Sequence, residues 1–234
     1  MKSKPASFVA AILRLAVSVA TAICMVLSWP TDQNVRADEK VVKIVVFGDV
    51  LSSGYYLPAG RRFPDRLEFA LKAKGQMVTV VNASVSSDTA ARGLARLNRA
   101  VPDDTDAVIL EFGAIDMLWG TEPDVTRTSI EAILQNLRAR HIAVLLCGAR
   151  PHVKLDDEHG KAFAAIFSGL AREYDVLFYP AFDDAFADEP QLKEIGDFKP
   201  NSAGTEAVVT HMLPKVEALI DQARQRPLTS GSGR

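Results

Sequence analysis

Cysteine is nearly missing from this chain: it has two in 234 residues, Cys24 and Cys147. Cys24 falls in an N-terminal apolar stretch, which leaves Cys147 alone and excludes an internal disulfide in the remainder, so a hydrophobic core must supply the stability. Cys147 closes the run "HIAVLLCGA" and reads as a small buried hydrophobe. Histidine is also scarce, with four residues. His152 and His159 lie in or beside one loop, His141 at a helix end and His211 in the last helix. No two of them have metal-ligand spacing beside an acid or sulfur partner, so neither a zinc site nor another metal or cofactor is expected. Charge of one sign is lacking too: the net value is −2, which argues against nucleic acid as a partner. There is no internal repeat.

An uninterrupted apolar span of about 20 residues, the length a membrane crossing needs, is absent as well. The longest run, Leu15 to Leu27, is shortened by Arg14, preceded by Lys2 and Lys4, and followed by the small residues Val35 and Ala37. This is the pattern of an export signal cleaved after Ala37, with "TAIC" lacking the small residue of a lipoprotein signal. Residues 1–37 are therefore expected to be a signal peptide, the product periplasmic or secreted, with no stable membrane span after cleavage. Removal takes four basic residues and one acidic one and moves the net charge from −2 to −5. Residues 38–224 then form one domain, and 225–234, "QRPLTSGSGR", a disordered tail.

What is present is an alternation. Short β-branched runs recur at Val42–Phe47, Val78–Val81, Ala107–Phe112, Ile142–Cys147 and Val176–Tyr179, each followed by a loop and a helical period. Ile130, Ile133, Leu134 and Leu137 share one helix face, as do Phe163, Ile166, Phe167 and Leu170; Phe63, Leu67, Ala70 and Leu71 form a third. The last helix carries Val209 to Ile220 and meets Pro214, where a kink or two abutting segments are expected. The pattern predicts a three-layer α/β/α sandwich around a five-stranded parallel sheet, flavodoxin-like in order 2-1-3-4-5, with strands buried on both faces and the site at their carboxyl ends.

Those ends carry "GDVLSSG", "NASVSSDT", "EFGAIDMLWG" and "CGARPHVK", with "GDFKPNSAG" before the final helix. In these blocks the chain resembles the SGNH/GDSL hydrolases, in particular the bacterial periplasmic thioesterase, arylesterase and lysophospholipase type. The likeness runs from about Val41 to Leu219 and rests on "GD.LS.GY" at Gly48–Tyr55, "VVNASVS.DT" at Val80–Thr89, "GLARL" at Gly93–Leu97, "LE.G..D" at Leu110–Asp116 and "PN" at Pro200–Asn201. It implies acyl transfer through a serine, a histidine base oriented by an aspartate three residues earlier, and an oxyanion hole. The matching positions hold other residues: Val50 for the nucleophile, Lys199 for the base, Gly196 for its orienter, Ser87 for the oxyanion glycine and Ile115 for the oxyanion asparagine. None of the family's catalytic set is intact at these positions.

Several residues remain as pocket candidates: Asp49, Val50, Ser87, Ile115, Asp116 and Lys199. Ser87 with Lys199 could form a rebuilt dyad, but this needs a neutral lysine, and "GDFKPN" promises no apolar shell. Asp49, Glu111 and Asp116 read first as carboxylates that hold loops through backbone N–H groups, and Ser52 and Ser53 as turn residues. Met117, Leu118 and Trp119 either pack beneath their loop or form an exposed apolar wall. The expectation is an inactive homologue that binds a small molecule, acyl-type or other, or a protein partner in the remnant cleft. An esterase or thioesterase using Ser87 and Lys199 is the alternative, and a structural envelope protein the third reading.

Overall fold

The computed structural model describes residues 40–150, 157–195 and 197–225. The expected signal peptide, its cleavage site, His152, Gly196 and residues 226–234 lie outside them, as does the side chain of His159. Five strands, β1 (Val42–Gly48), β2 (Val78–Asn82), β3 (Ala107–Glu111), β4 (Ala143–Cys147) and β5 (Leu177–Tyr179), form one parallel sheet in the order β2-β1-β3-β4-β5. The switch point falls between β1 and β3, whose register sets Gly48 opposite Glu111. Because both strands end there, their loops open onto one rim.

The helices are α1 (Val50–Ser53), α2 (Phe63–Ala73), α3 (Ala90–Ala100), α4 (Ala114–Leu118), α5 (Pro123–Ala139), α6 (Asp157–Tyr174) and α7 (Ser202–Gln225). They divide into two layers according to which alternate strand residues they cover. Ile44, Val46, Ile109 and Leu145 pack with Leu67, Leu71, Val208, Met212 and Val216, from α2 and α7. Val45, Phe47, Val108 and Leu146 pack with Leu97, Ile130, Leu134, Phe163 and Phe167, from α3, α5 and α6. The three-layer α/β/α sandwich is as the apolar periodicity requires.

Two expectations need correction. The three central strands are buried throughout or nearly so, but the edge strands are not: β2 alternates between buried and exposed, because only its α2 side is covered. The last helix is not two abutting segments at Pro214: it runs continuously from Ser202 to Gln225. Met212 and Val216, both fully buried, hold it to the sheet on either side of the proline. Cys147 is buried at the end of β4, as its run implies.

Candidate active site

The turn after β1 is built by packing before it is built by chemistry. A β-carbon on Gly48 would sit 2.1 Å from the carbonyl oxygen of Glu111, so only glycine lets β1 approach β3 this closely at its end. Asp49 then caps α1: its Oδ1 accepts from Leu51 N–H at 3.1 Å. Its Oδ2 accepts from the N–H groups of Ala114 at 3.0 Å and Ile115 at 3.3 Å, which fixes the start of α4 against the start of α1. Glu111 mirrors this arrangement, its Oε2 accepting from Ser52 N–H at 3.2 Å and Asp49 N–H at 3.4 Å. Gly54, at φ 59°, ends α1 in the left-handed region.

Both carboxyl groups are fully buried. Burial pushes Asp49 up to about 7, against the lowering effect of the Leu51 and Ile115 N–H groups. Burial and then the neighbouring Asp49 raise Glu111 well above the usual carboxylate range. The sequence shows each residue as a loop-holding acid, and the hydrogen bonds agree. It does not show them as one buried pair, although the parallel register that joins Gly48 to Glu111 is the signal that could have revealed it. Asp116 is buried too, its Oδ2 accepting from Ala90 N–H at the start of α3 and its Oδ1 from the Thr126 hydroxyl, both at 2.9 Å. Burial raises it above its ordinary value.

Val50 heads α1 and is 8% exposed; Ile115 is 5% exposed, and the two belong to the same core cluster. Since Asp49 holds the Ile115 N–H, these side chains stand at adjoining backbone positions and make an apolar floor. The serines of the second loop join it from one side. Ser53 Oγ lies 2.7 Å from Ser86 Oγ, and Ser52 Oγ 2.9 Å from Ser84 Oγ, so both reach across to the loop after β2, and Ser53 also donates to the Val50 carbonyl in its own turn. Ser87 itself is exposed; its carbonyl accepts from Arg92 at 3.2 Å.

Among the described residues no hydrogen bond joins Lys199 to Ser87. The Lys199 ammonium donates to Asp197 Oδ2 at 3.0 Å and rides 4.8 Å above the Tyr56 ring, while the Tyr56 hydroxyl donates to the Pro200 carbonyl at 3.0 Å. Burial tends to raise Asp197, but the hydrogen bond from Lys199 and the N–H groups of Lys199 and Phe198 bring it below its ordinary value. Neither Asp197 nor Tyr56 stood out in the sequence as a partner for Lys199. Asp88 is likewise engaged, with Arg96. The "MLW" segment splits: Met117 is buried, whereas Leu118 and Trp119 are 44% and 54% exposed. Among the described residues no group of His, Cys, Asp and Glu could hold a metal, and no helix is long and apolar enough to cross a membrane.

Residues 46–207 match the GDSL-like lipase/acylhydrolase family. The chain belongs to that family. It is 31% identical over 179 residues to the thioesterase 1/protease 1/lysophospholipase L1 of Escherichia coli K12, covering 76% of this chain and 85% of that one. To the arylesterase of Vibrio mimicus it is 32% identical over 156 residues, 66% of this chain and 78% of the other. Among solved structures it superposes on AlinE4, an SGNH-hydrolase family esterase, with a TM-score of 0.65 at 34% identity, over 77% of this chain and 97% of that one. The matched span, residues 46–207, contains the ends of β1, β2 and β3 that form the rim.

Proposed function

We propose that this GDSL-family protein is an exported homologue without the family's serine-based hydrolysis, and that it binds a small acyl-type molecule or a protein partner at the rim where Val50, Ser87, Ile115 and Lys199 stand. The observation that carries the reading is the floor made by Val50 and Ile115, side chains with no hydroxyl, amide or ionisable group, packed into the core at the head of α1 and the start of α4. A nucleophile must present a hydroxyl or thiol beside a base, and an oxyanion donor must offer a polar hydrogen. Lys199, at the position of the base, is engaged as a cation by Asp197 and Tyr56. The lysine-rich start, the apolar run and the small residues before Ala37 support export.

The second reading, a hydrolase rebuilt around Ser87 and Lys199, draws on the names of relatives, which include thioesterase, arylesterase and esterase. Its weakness is that Lys199 is engaged by Asp197 and the Tyr56 ring, and no hydrogen bond joins it to Ser87 among the described residues. One experiment separates the two. The purified protein should turn over p-nitrophenyl butyrate and acyl-CoA at the background rate and take up no serine-directed phosphonate by intact mass. Robust turnover that Ser87→Ala abolishes would refute the proposal and establish the rebuilt site.

A further inference from the structure

A second concave feature lies outside this rim, on the uncovered side of the edge strand. Helix α3 packs Ala90 and Leu97 into the layer that covers β1 and β3, with Gly93 so tight against Phe112 that a β-carbon there would come within 2.4 Å of its ring. The helix therefore sits over the centre of the sheet, and the same face of β2 is left bare. Val81 is 40% exposed and Val85, just beyond the strand, 38%. Between α3 and this bare face runs a groove of about 410 Å³. Its uncharged lining is chiefly apolar, with Tyr55, Val81, Val85 and Pro102 the larger surfaces, and Asn82 and Ser84 add polar groups.

The charges in the groove are all of one sign. Lys43, Arg96 and Arg99 line it, and no acidic side chain does, in a protein whose net charge is negative. Two of these cations are already engaged: Lys43 by Asp104 at 2.8 Å, and Arg96 by Asp88 and by the Ala83 carbonyl at 2.7 Å. Arg99 is exposed, and among the described residues no carboxylate pairs with it. An apolar trough with one unspent guanidinium at its wall is complementary to a molecule that has an apolar body and one acidic group. A cationic or purely polar ligand would meet repulsion or leave the trough wet. The edge is also protected against the main competing use, pairing with another strand, since Glu68 Oε2 already accepts the outward N–H of Val80 at 2.6 Å.

We propose that the groove between α3 and β2 is a binding site for an amphiphilic anion, its apolar part lying on Val81 and Val85 and its acidic group on Arg99. The groove borders the rim at Ser84, but Val50, Ile115 and Lys199 do not line it, and the proposal does not depend on the reading given to the rim. Decyl sulfate, kept below its micelle concentration, should shift the backbone amide signals of Val81, Val85 and Arg99 in ¹⁵N-labelled protein. Arg99→Glu should weaken the response about tenfold or more, the scale of one charge-assisted contact, and Arg99→Gln by less, both with an unchanged melting temperature. Decyltrimethylammonium, with the same chain and the opposite charge, should leave these signals unmoved. An equal response to both amphiphiles would reduce the groove to a greasy surface and overturn the proposal. So would shifts confined to the neighbourhood of Val50, Ile115 and Lys199, which would place the anion in the rim. A concentration-dependent dimer that Arg99→Glu dissolves, with no response to decyl sulfate, would give the groove to a second copy of the chain and overturn it equally.

Discussion

Five backbone hydrogen bonds converge on two buried carboxyl groups, those of Asp49 and Glu111, and they decide the shape of the rim more directly than any residue on its surface. Glu111 Oε1 is sealed from solvent with no hydrogen-bond partner among the described residues. A buried oxygen of this kind favours the protonated acid. The consequence is a pH dependence with a definite sign. Asp49 is raised to about 7 and Asp183 to about 6, burial being the largest cause in each, and Glu111 and Asp116 are raised as well. Between the unfolded carboxylate range near 4 and about 7, the folded state therefore holds more protons than the unfolded one. Stability from these groups is full at the acid end of that window and is lost as pH rises through the folded values. Glu68 and Asp197 are lowered and act oppositely, but they lose their contribution only as pH falls below the ordinary carboxylate range, outside the window. Urea midpoints measured from pH 5 to pH 8 should fall, by on the order of a few kcal/mol in unfolding free energy. Glu111→Gln, which removes one of the raised titrating groups, should flatten the slope; a midpoint that climbs with pH in wild type would contradict the assignment.

At the scale of elements, two helix ends carry a cost that the sequence conceals. His141 at φ 55° and Asp175 at φ 52° both occupy the left-handed region, just after α5 and α6 respectively, where glycine is the inexpensive choice. Each end is closed by backbone bonds, with His141 N–H donating to Arg138 O and Asp175 N–H to Arg172 O. Asp175→Gly and His141→Gly should each stabilise the protein by up to about 1 kcal/mol, because relief of the strained conformation outweighs the added freedom of the unfolded chain. Chemical denaturation of each single variant would check this, and a loss of stability would mean that the side chain holds a contact worth more than the strain. These positions also mark where sequence reading stops. The β-branched runs and the 3.6-residue spacing of Ile130, Ile133, Leu134 and Leu137 made strands and helices legible, since burial of one face is what both patterns encode. Nothing in the pattern shows that His141 and Asp175 leave the right-handed region. The exposed face of β2 was equally hidden, since Val78–Val81 reads as a buried run until one knows that α3 lies over β1 and β3.

For the whole molecule, family membership was legible because the blocks at Gly48, Val80, Leu110 and Pro200 recur in order at the ends of successive elements, and a parallel sheet brings such ends to one rim. The pairings within that rim were not. Lys199 with Asp197 and Tyr56, or Asp49 with Glu111, depend on loop paths that no spacing rule supplies. Whether this rim is a disarmed version of its relatives' site is best decided by restoring it. Val50→Ser places a hydroxyl at the head of α1, where the Asp49 cap already fixes the turn. Lys199→His with Gly196→Asp supplies base and orienter and removes the present ion pair with Asp197. Ser87→Gly and Ile115→Asn return the oxyanion positions, the second at a residue whose N–H is already held by Asp49. Members of a triad act as a unit, so single replacements should stay at background, the triple variant should show weak esterase activity, and the quintuple should exceed it by roughly 10²-fold or more, the value of one strong oxyanion donor. The readout that does not depend on turnover is covalent: a serine-directed phosphonate should label the quintuple variant at position 50, located by peptide mass spectrometry. A folded quintuple variant that never labels would mean that the backbone no longer holds the relatives' geometry. The rim would then have to be a binding surface of its own design, and the case for an acyl-type ligand in it would fall in favour of a protein partner.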